Sequence, residues 1–177
     1  MIFAMTEAQD LKDISLLFRC ETPVIILETR EEQRALMLIR QAIKNQQKAL
    51  YSWSVISGLG RQDLSFEKEA STDTREPKQV LEHIRSSKHA GVYVLFDFHP
   101  FLDDPAHIRL IKEIAQGHDR VARTLVFVSH AFDIPAELKR MAARVEMTLP
   151  SSEEVREIVI EEARRYGKLN GAAKVRS

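Results

Sequence analysis

GVYVLFDFHPFLDD, residues 91–104, is the stretch of sequence that decides the fold. Its five consecutive apolar residues, 92–96, include four that are β-branched or aromatic, and Asp97 and a proline-containing turn follow them. A short run of this composition is typical of a strand that is buried on both faces of a parallel sheet. Because ligands of open α/β sheets bind at the carboxyl ends of the strands, Asp97 occupies a position where a functional residue would lie.

Four further apolar segments have the length and composition of strands, and helix-like patterns separate them. The strands are expected at 23–27, 49–55, 123–129 and 145–149. Helices are expected over 6–18, after Thr29, over 76–87, near 105–116, as a short helix from Ile134, and as a last helix from Pro150. This alternation predicts an α/β fold, a doubly wound five-stranded parallel sheet with helices on both faces.

The bulk composition narrows the class of protein. The chain of 177 residues is long enough for one full core, so we expect one domain over 1–165 and a flexible tail, or the start of a following domain, over 166–177. Lys+Arg and Asp+Glu both number 26, which gives no general field for nucleic acid or anionic lipid. The single cysteine, Cys20, and the lack of an 18-residue apolar run favour a soluble, cytoplasmic protein that binds neither nucleic acid nor membrane.

The segment after the first predicted strand, ETREEQR at 28–34, is where this fold would carry a phosphate-binding loop. Such a loop requires glycines for close backbone approach and a lysine for the phosphate charge, and the segment has neither. Thr29 and Glu32 have the spacing of a capping box. Glu31 and Glu32 would lie in the first helical turn. There their carboxylates interact favourably with the positive end of the helix dipole and repel an incoming anion. The sequence therefore argues against phosphate binding here.

A glycine pair, Gly58 and Gly60, is the second candidate for a nucleotide loop. It lacks the third glycine of a dinucleotide fingerprint, and polar residues follow it instead of a helix pattern. We therefore expect a turn that ends the second strand. The polar segment 61–75 is expected to be a mobile insertion with a short strand at 64–66.

Several of these segments resemble the nucleotide-binding half of an AAA-type ATPase. Residues 92–97 resemble its Walker B strand, and residues 124–129 resemble its sensor-1 strand. Segments 49–55, 97–104 and 134–138 are similar to the region before the ATPase core in an uncharacterised AAA family with plastid-genome and cyanobacterial members. The resemblance implies the strand order 5-1-4-3-2 and the front module of a longer ATPase. It also implies ATP and magnesium for the core of that parent, and no cofactor in this chain.

The resemblance also implies site residues. Asp97 would lie at the magnesium-binding position and Ser129 at the polar sensor position, whereas Phe98 replaces the carboxylate that orients the attacking water. Arg144 or Arg140 precedes the last strand, near the place of an arginine finger that would act on an adjacent catalytic module. The simpler interpretations are an aspartate that closes the turn after its strand and a solvated basic segment.

The residue types present also suggest three other kinds of chemistry. A metal site is suggested by five side chains within eleven residues: Asp97, His99, Asp103, Asp104 and His107. Their spacing matches no tight ligand pattern, and Asp104 before Pro105 is typical of a helix N-cap, so we predict no metal.

A phosphoacceptor domain would use Asp97 with Ser129, but the acidic pair after the first strand and the lysine after the fifth are missing. Ser129, His130 and Asp133 include triad residue types without a nucleophile elbow.

The sequence therefore predicts a non-catalytic AAA-like module that scaffolds or regulates an ATPase core in a longer parent protein, within a ring-shaped homo-oligomer. The alternatives are a domain that binds nucleotide and magnesium at the Asp97 end of the sheet, and a receiver-like switch that is phosphorylated there.

Overall fold

The computed structural model of the protein describes residues 3–46, 48–62 and 74–147, with residues 156 and 160, and the side chains from residue 9 onwards. The chain forms two compact units, residues 10–147 and residues 1–9 with 148–177. In the latter unit, residues 3–9, 156 and 160 are helical. The rest of the helix predicted from Pro150, the domain boundary predicted at 165 and the strand predicted at 64–66 lie outside the described residues.

A six-stranded sheet forms the centre of the unit 10–147. Its strands are β1 (Val24–Glu28), β2 (Ala49–Ser54), β3 (Gly58–Arg61), β4 (Gly91–Phe96), β5 (Arg123–Ser129) and β6 (Ala142–Glu146). The spatial order is β3-β2-β4-β5-β1-β6. The predicted order 5-1-4-3-2 is confirmed, because β6, β1, β5, β4 and β2 adjoin one another in that order and all of these pairs are parallel.

The sheet is mixed, because β3 pairs antiparallel with β2. The five predicted strands are mutually parallel as expected, but the sequence predicted only a turn at this place, so the sheet has one strand more than predicted. Residues 55–57 form the turn, and the chain then returns through Gly58, whose φ of 72° suits a residue without Cβ. Leu59 lies opposite Trp53 and is buried, and its N–H donates to the Thr74 hydroxyl at 2.8 Å. Tertiary contacts therefore hold a strand that the local sequence does not favour.

Helices cover both faces of the sheet, as the sequence predicted. They are α1 (Phe3–Arg19), α2 (Glu32–Ile43), α3 (Pro77–Ser86) and α4 (Pro105–Gln116). One core joins side chains of α1 and α2 to alternate strand residues such as Val94 and Val126, and the other joins α3 and α4 to Leu95 and Phe127. The predicted two-sided burial of β4 is confirmed, since residues 91–95 are all buried.

The segment between β5 and β6 differs from the prediction. Residues 134–138 do not form a helix; the Pro135 and Leu138 carbonyls accept N–H groups three residues later, which makes successive turns. Leu138 is buried and anchors these turns in the core. The last strand begins at Ala142, three residues earlier than expected. Among the helices of the described ranges, none is long and apolar enough to cross a membrane.

Candidate functional site

The first turn of α2 lies where this fold would hold phosphate. The helix begins at Glu32, and Glu31 is its N-cap residue without a side-chain cap. The predicted capping box between Thr29 and Glu32 is therefore wrong. Instead, the Thr29 hydroxyl accepts the N–H of Glu31 at 3.0 Å and closes a short turn between the strand and the helix.

Arg34, the third residue of α2, is engaged by two carboxylates. Its guanidinium donates to the Asp10 carboxylate of α1 at 2.7 Å and to the Glu31 carboxylate at 2.9 Å. Asp10 is nearly fully buried, with 4% of its side chain exposed, whereas the Glu31 side chain is 38% exposed. Two carboxylates thus engage the Arg34 guanidinium, and the exposed Glu32 places a third carboxylate in the first turn of α2, after the exposed Arg30. An incoming phosphate would have to displace these carboxylates.

Asp97 follows β4 directly and is exposed to solvent. Its backbone lies in the left-handed region with φ of 49°, which aspartate tolerates better than most residues, and its N–H donates to the Val128 carbonyl at 3.0 Å. Although Glu32 as a whole residue is exposed, partial burial of its carboxyl group raises its pKa above the ordinary 4.5, and the charge of Asp97 raises that pKa further. The two negative charges of Asp97 and Glu32 therefore repel each other at the start of α2.

Phe98 belongs to the core. It is fully buried, and its ring lies 5.3 Å from that of Trp53 and 5.6 Å from that of Phe127. The backbone turn at Asp97 thus directs the next side chain inwards, between the sheet and α4. This position offers no group that could orient a water molecule for attack on a phosphate.

Ser129 ends β5 and is buried. Its hydroxyl donates to the Ala131 carbonyl at 2.7 Å, and its own carbonyl accepts the N–H of Thr29 at 2.9 Å. The hydroxyl thus closes its own turn, and within the described residues it makes no hydrogen bond to His130 or Asp133. The structure does not bring the triad residue types of this segment into a relay.

The two candidate finger arginines differ in their surroundings. Arg144 on β6 donates to the Phe132 carbonyl, and its guanidinium lies 3.4 Å from the Glu28 carboxylate. The same carboxylate accepts the Phe132 N–H at 2.9 Å, so Arg144 and Glu28 together hold the segment after β5. Arg140 is exposed in the turns before β6. The role of an arginine finger remains a prediction for both.

Two of the side chains after Asp97, those of Asp104 and His107, stabilise the turn and the start of α4. Asp104 caps α4 by accepting the Ala106 N–H at 2.8 Å, and the His107 Nδ1 lies 2.7 Å from the Phe101 carbonyl oxygen. In the part of the chain that the structure describes, no three His, Cys, Asp or Glu side chains are grouped so that they could hold a metal ion.

Local spacing groups His130 with Ser129 and Asp133, but the structure places it beside His99. The His130 ring lies against the His99 ring, with centroids 5.4 Å apart. The two residues are far apart in sequence, but the predicted sheet order already placed their strands side by side. The predicted strand order therefore implies that His99 and His130 lie close together, whereas their spacing in the sequence does not.

Comparison with known proteins decides the family. The family described as SpoVK-like AAA ATPase, N-terminal domain, matches residues 10–147, the same residues that form the larger compact unit. The chain belongs to this family. The resemblance to the region before an AAA core, seen first in segments such as 97–104, is thereby confirmed.

Curated relatives of this SpoVK-like N-terminal domain are uncharacterised AAA domain-containing proteins named ycf46. Those of Trieres chinensis and Guillardia theta are each 29% identical to the chain, over 148 and 149 residues, which is 81% and 82% of this chain. That of Pyropia yezoensis is 25% identical over 154 residues. The chain spans 29–30% of the length of these relatives.

Proposed function

We propose that this domain is a non-catalytic AAA-like module that scaffolds or regulates an ATPase core within a longer parent protein. Its membership of a family of N-terminal domains of AAA ATPases supports the proposal. So does the length of its relatives, which are named for an AAA domain and extend well beyond the matched region. In this proposal ATP and magnesium belong to the core of the parent, and the partner of this domain is that core, in the same chain or in a neighbouring subunit of a ring.

The first turn of α2 is the observation that carries the proposal. In a phosphate-binding loop, backbone N–H groups and a free cation face the anion. Here the Arg34 guanidinium is bound to Asp10 and Glu31, and Glu32 adds a further, exposed carboxylate. A triphosphate that approached this turn would meet carboxylates at short range, and repulsion between like charges opposes its binding.

The other positions of the site support the same proposal. Phe98 fills the core where a general base would be needed, and the Ser129 hydroxyl is bound within its own turn. Of Asp97, Phe98 and Ser129, Asp97 alone presents an exposed carboxylate. The Asp97 carboxylate could bind a cation, but it supplies no backbone N–H groups or positive charge to bind the phosphates of a nucleotide.

Titration of the 177-residue chain with labelled ATP and Mg²⁺ tests the proposal. We expect no saturable binding in the micromolar range and no ATP turnover. Asp97→Ala and the matched control Asp103→Ala, which removes another exposed aspartate of the same turn, should leave the titration unchanged. Saturable binding that Asp97→Ala abolishes and Asp103→Ala preserves would replace the proposal with the nucleotide- and magnesium-binding alternative.

That alternative has one observation in its favour. Asp97 holds a left-handed backbone conformation at the carboxyl end of β4, and uncommon backbone geometry of this kind is frequent at functional sites. The same carboxylate is the target of the receiver-like alternative. Incubation with acetyl phosphate followed by mass spectrometry separates the two, because only a receiver-like switch would gain a phosphoryl group on Asp97.

A further inference from the structure

The carboxyl ends of β4 and β5 present two histidines to each other. His99 begins the turn after β4, and His130 follows β5 directly. Their ring centroids lie 5.4 Å apart, and the ring planes are nearly perpendicular at 87°. β4 and β5 are neighbouring parallel strands, so the pair lies at the edge of the sheet where α/β proteins bind ligands.

The spacing of the rings is compatible with a shared metal ion. Two imidazoles bound to one tetrahedral ion through metal–nitrogen bonds of about 2.0–2.1 Å have ring centroids about 5 Å apart. The observed 5.4 Å is close to this value, so the separation of the two rings fits ligation of a common ion.

An unsatisfied nitrogen gives the second, independent observation. The Nδ1 atom of His99 is buried and has no hydrogen-bond partner. A buried polar atom without a partner costs about 1–3 kcal/mol, and such atoms in native proteins call for an explanation. A contact between aromatic rings accounts for their perpendicular planes but supplies no ligand for this nitrogen.

The two histidines differ in how the core holds them and in their exposure to solvent. Phe98, fully buried beside His99, fixes the backbone that carries the first ring, while His130 is exposed to solvent. One ring is therefore positioned by the core, and the other can admit an ion from solution. Asp97, exposed and close by in the chain, adds negative charge to the approach.

We propose that His99 and His130 form a two-histidine binding site for a divalent transition-metal ion of the Ni²⁺, Cu²⁺ or Zn²⁺ type. Imidazole nitrogen suits these ions, whereas Mg²⁺ prefers oxygen ligands. The described residues contain no group of three His, Cys, Asp or Glu side chains around one point, so water completes the coordination sphere. The site neither requires nor excludes the proposed role beside an ATPase core.

Calorimetric titration of the tag-free chain with Ni²⁺ tests the proposal. We compare wild type with His130→Asn, His99→Asn and a matched control, His89→Asn, which removes an exposed histidine elsewhere in the same unit. The wild type and His89→Asn should bind one ion with equal affinity. Since even outer-shell partners of a metal ligand are worth about 10–100-fold in affinity, loss of either ligand should weaken binding by at least about tenfold.

Two further measurements make the outcome decisive. The electron paramagnetic resonance spectrum of the Cu²⁺ complex should show coupling to two imidazole nitrogens in wild type and to one in His130→Asn. Mg²⁺ should give no comparable heat. Equal Ni²⁺ affinity in wild type and His130→Asn, or a Mg²⁺ affinity equal to that for Ni²⁺, overturns the proposal. Because His130 is exposed, its variant tests the site even if His99→Asn fails to fold.

Discussion

Replacing Asp10 by Asn is the sharpest test of how the first turn of α2 is held. The change removes one charge, keeps the shape of the side chain, and leaves Arg34 with Glu31 as its remaining ionic partner among the contacts described above. Breaking a fully buried ion pair costs about 3–5 kcal/mol, and a hydrogen bond to a charged group is worth about 1.5–3 kcal/mol. Because 13% of the Arg34 side chain is exposed, we expect Asp10→Asn to lower the free energy of unfolding by about 2–3 kcal/mol.

The matched control is Glu31→Gln, which removes the other carboxylate from the same guanidinium. The Glu31 side chain is 38% exposed, and exposed ion pairs contribute about 0–1 kcal/mol, so its loss should cost less than about 1 kcal/mol. Urea unfolding followed by the fluorescence of Trp53, the single buried tryptophan, measures both values. A loss of 2–3 kcal/mol corresponds to a melting temperature about 4–12 °C lower. Equal small losses in the two variants would refute the buried ion pair and, with it, the argument that internal charges occupy the start of α2.

Three further expectations concern other parts of the fold. Phe98→Glu places a carboxylate at the general-base position and should destabilise the protein by about 3–5 kcal/mol without yielding ATPase activity. The control Phe98→Leu should retain the fold. ATP turnover by the Glu variant would contradict the non-catalytic role. Gly58→Ala should cost about 1–2 kcal/mol in urea unfolding because Ala tolerates φ of 72° poorly, and an unchanged midpoint would count against the turn geometry. Burial, and then the charge of Lys48, lower the pKa of His118 below its ordinary 6.5, so the unfolded chain takes up the proton first; stability should be full above pH 6.5 and fall as the pH drops towards the folded pKa. His118→Gln should remove that part of the pH dependence, and an identical pH profile in wild type and variant would contradict it.

The parts of the fold that the sequence predicted are those where local composition and burial agree. Residues 92–96 are apolar on both faces because β4 lies between two layers of helices, so the hydrophobic run alone indicates the strand. β3 contains two glycines in four residues and has no strand propensity of its own. It forms because Leu59 is buried beside Trp53 and because Thr74 bonds its backbone. Contacts of this kind join distant parts of the chain, and local patterns do not contain them.

The same distinction applies to the site. The sequence alone predicts that the helix starts with two carboxylates, Glu31 and Glu32, because charge is a property of the residues themselves. The pairing of Arg34 with Asp10 could not be predicted in this way, because it depends on how α1 packs against α2. The contact of Arg144 with the Glu28 carboxylate depends on the pairing of β6 with β1, so the strand order implies it but the local sequence does not.

The carboxyl edge of the sheet is therefore divided into two parts with different chemistry. Near the ends of β1 and β6, Arg144 contacts the Glu28 carboxylate at a partly exposed position, and Asp10 and Arg34 form a buried ion pair. A buried pair resists replacement by a ligand because either partner would be left unpaired. At the ends of β4 and β5, His99 keeps an unsatisfied nitrogen and His130 is exposed. If this domain retains any ligand of its own, the energetics favour the second part, where binding would satisfy a buried atom without breaking a charge pair. That ligand would be recognised by imidazole nitrogen and not by a phosphate cradle.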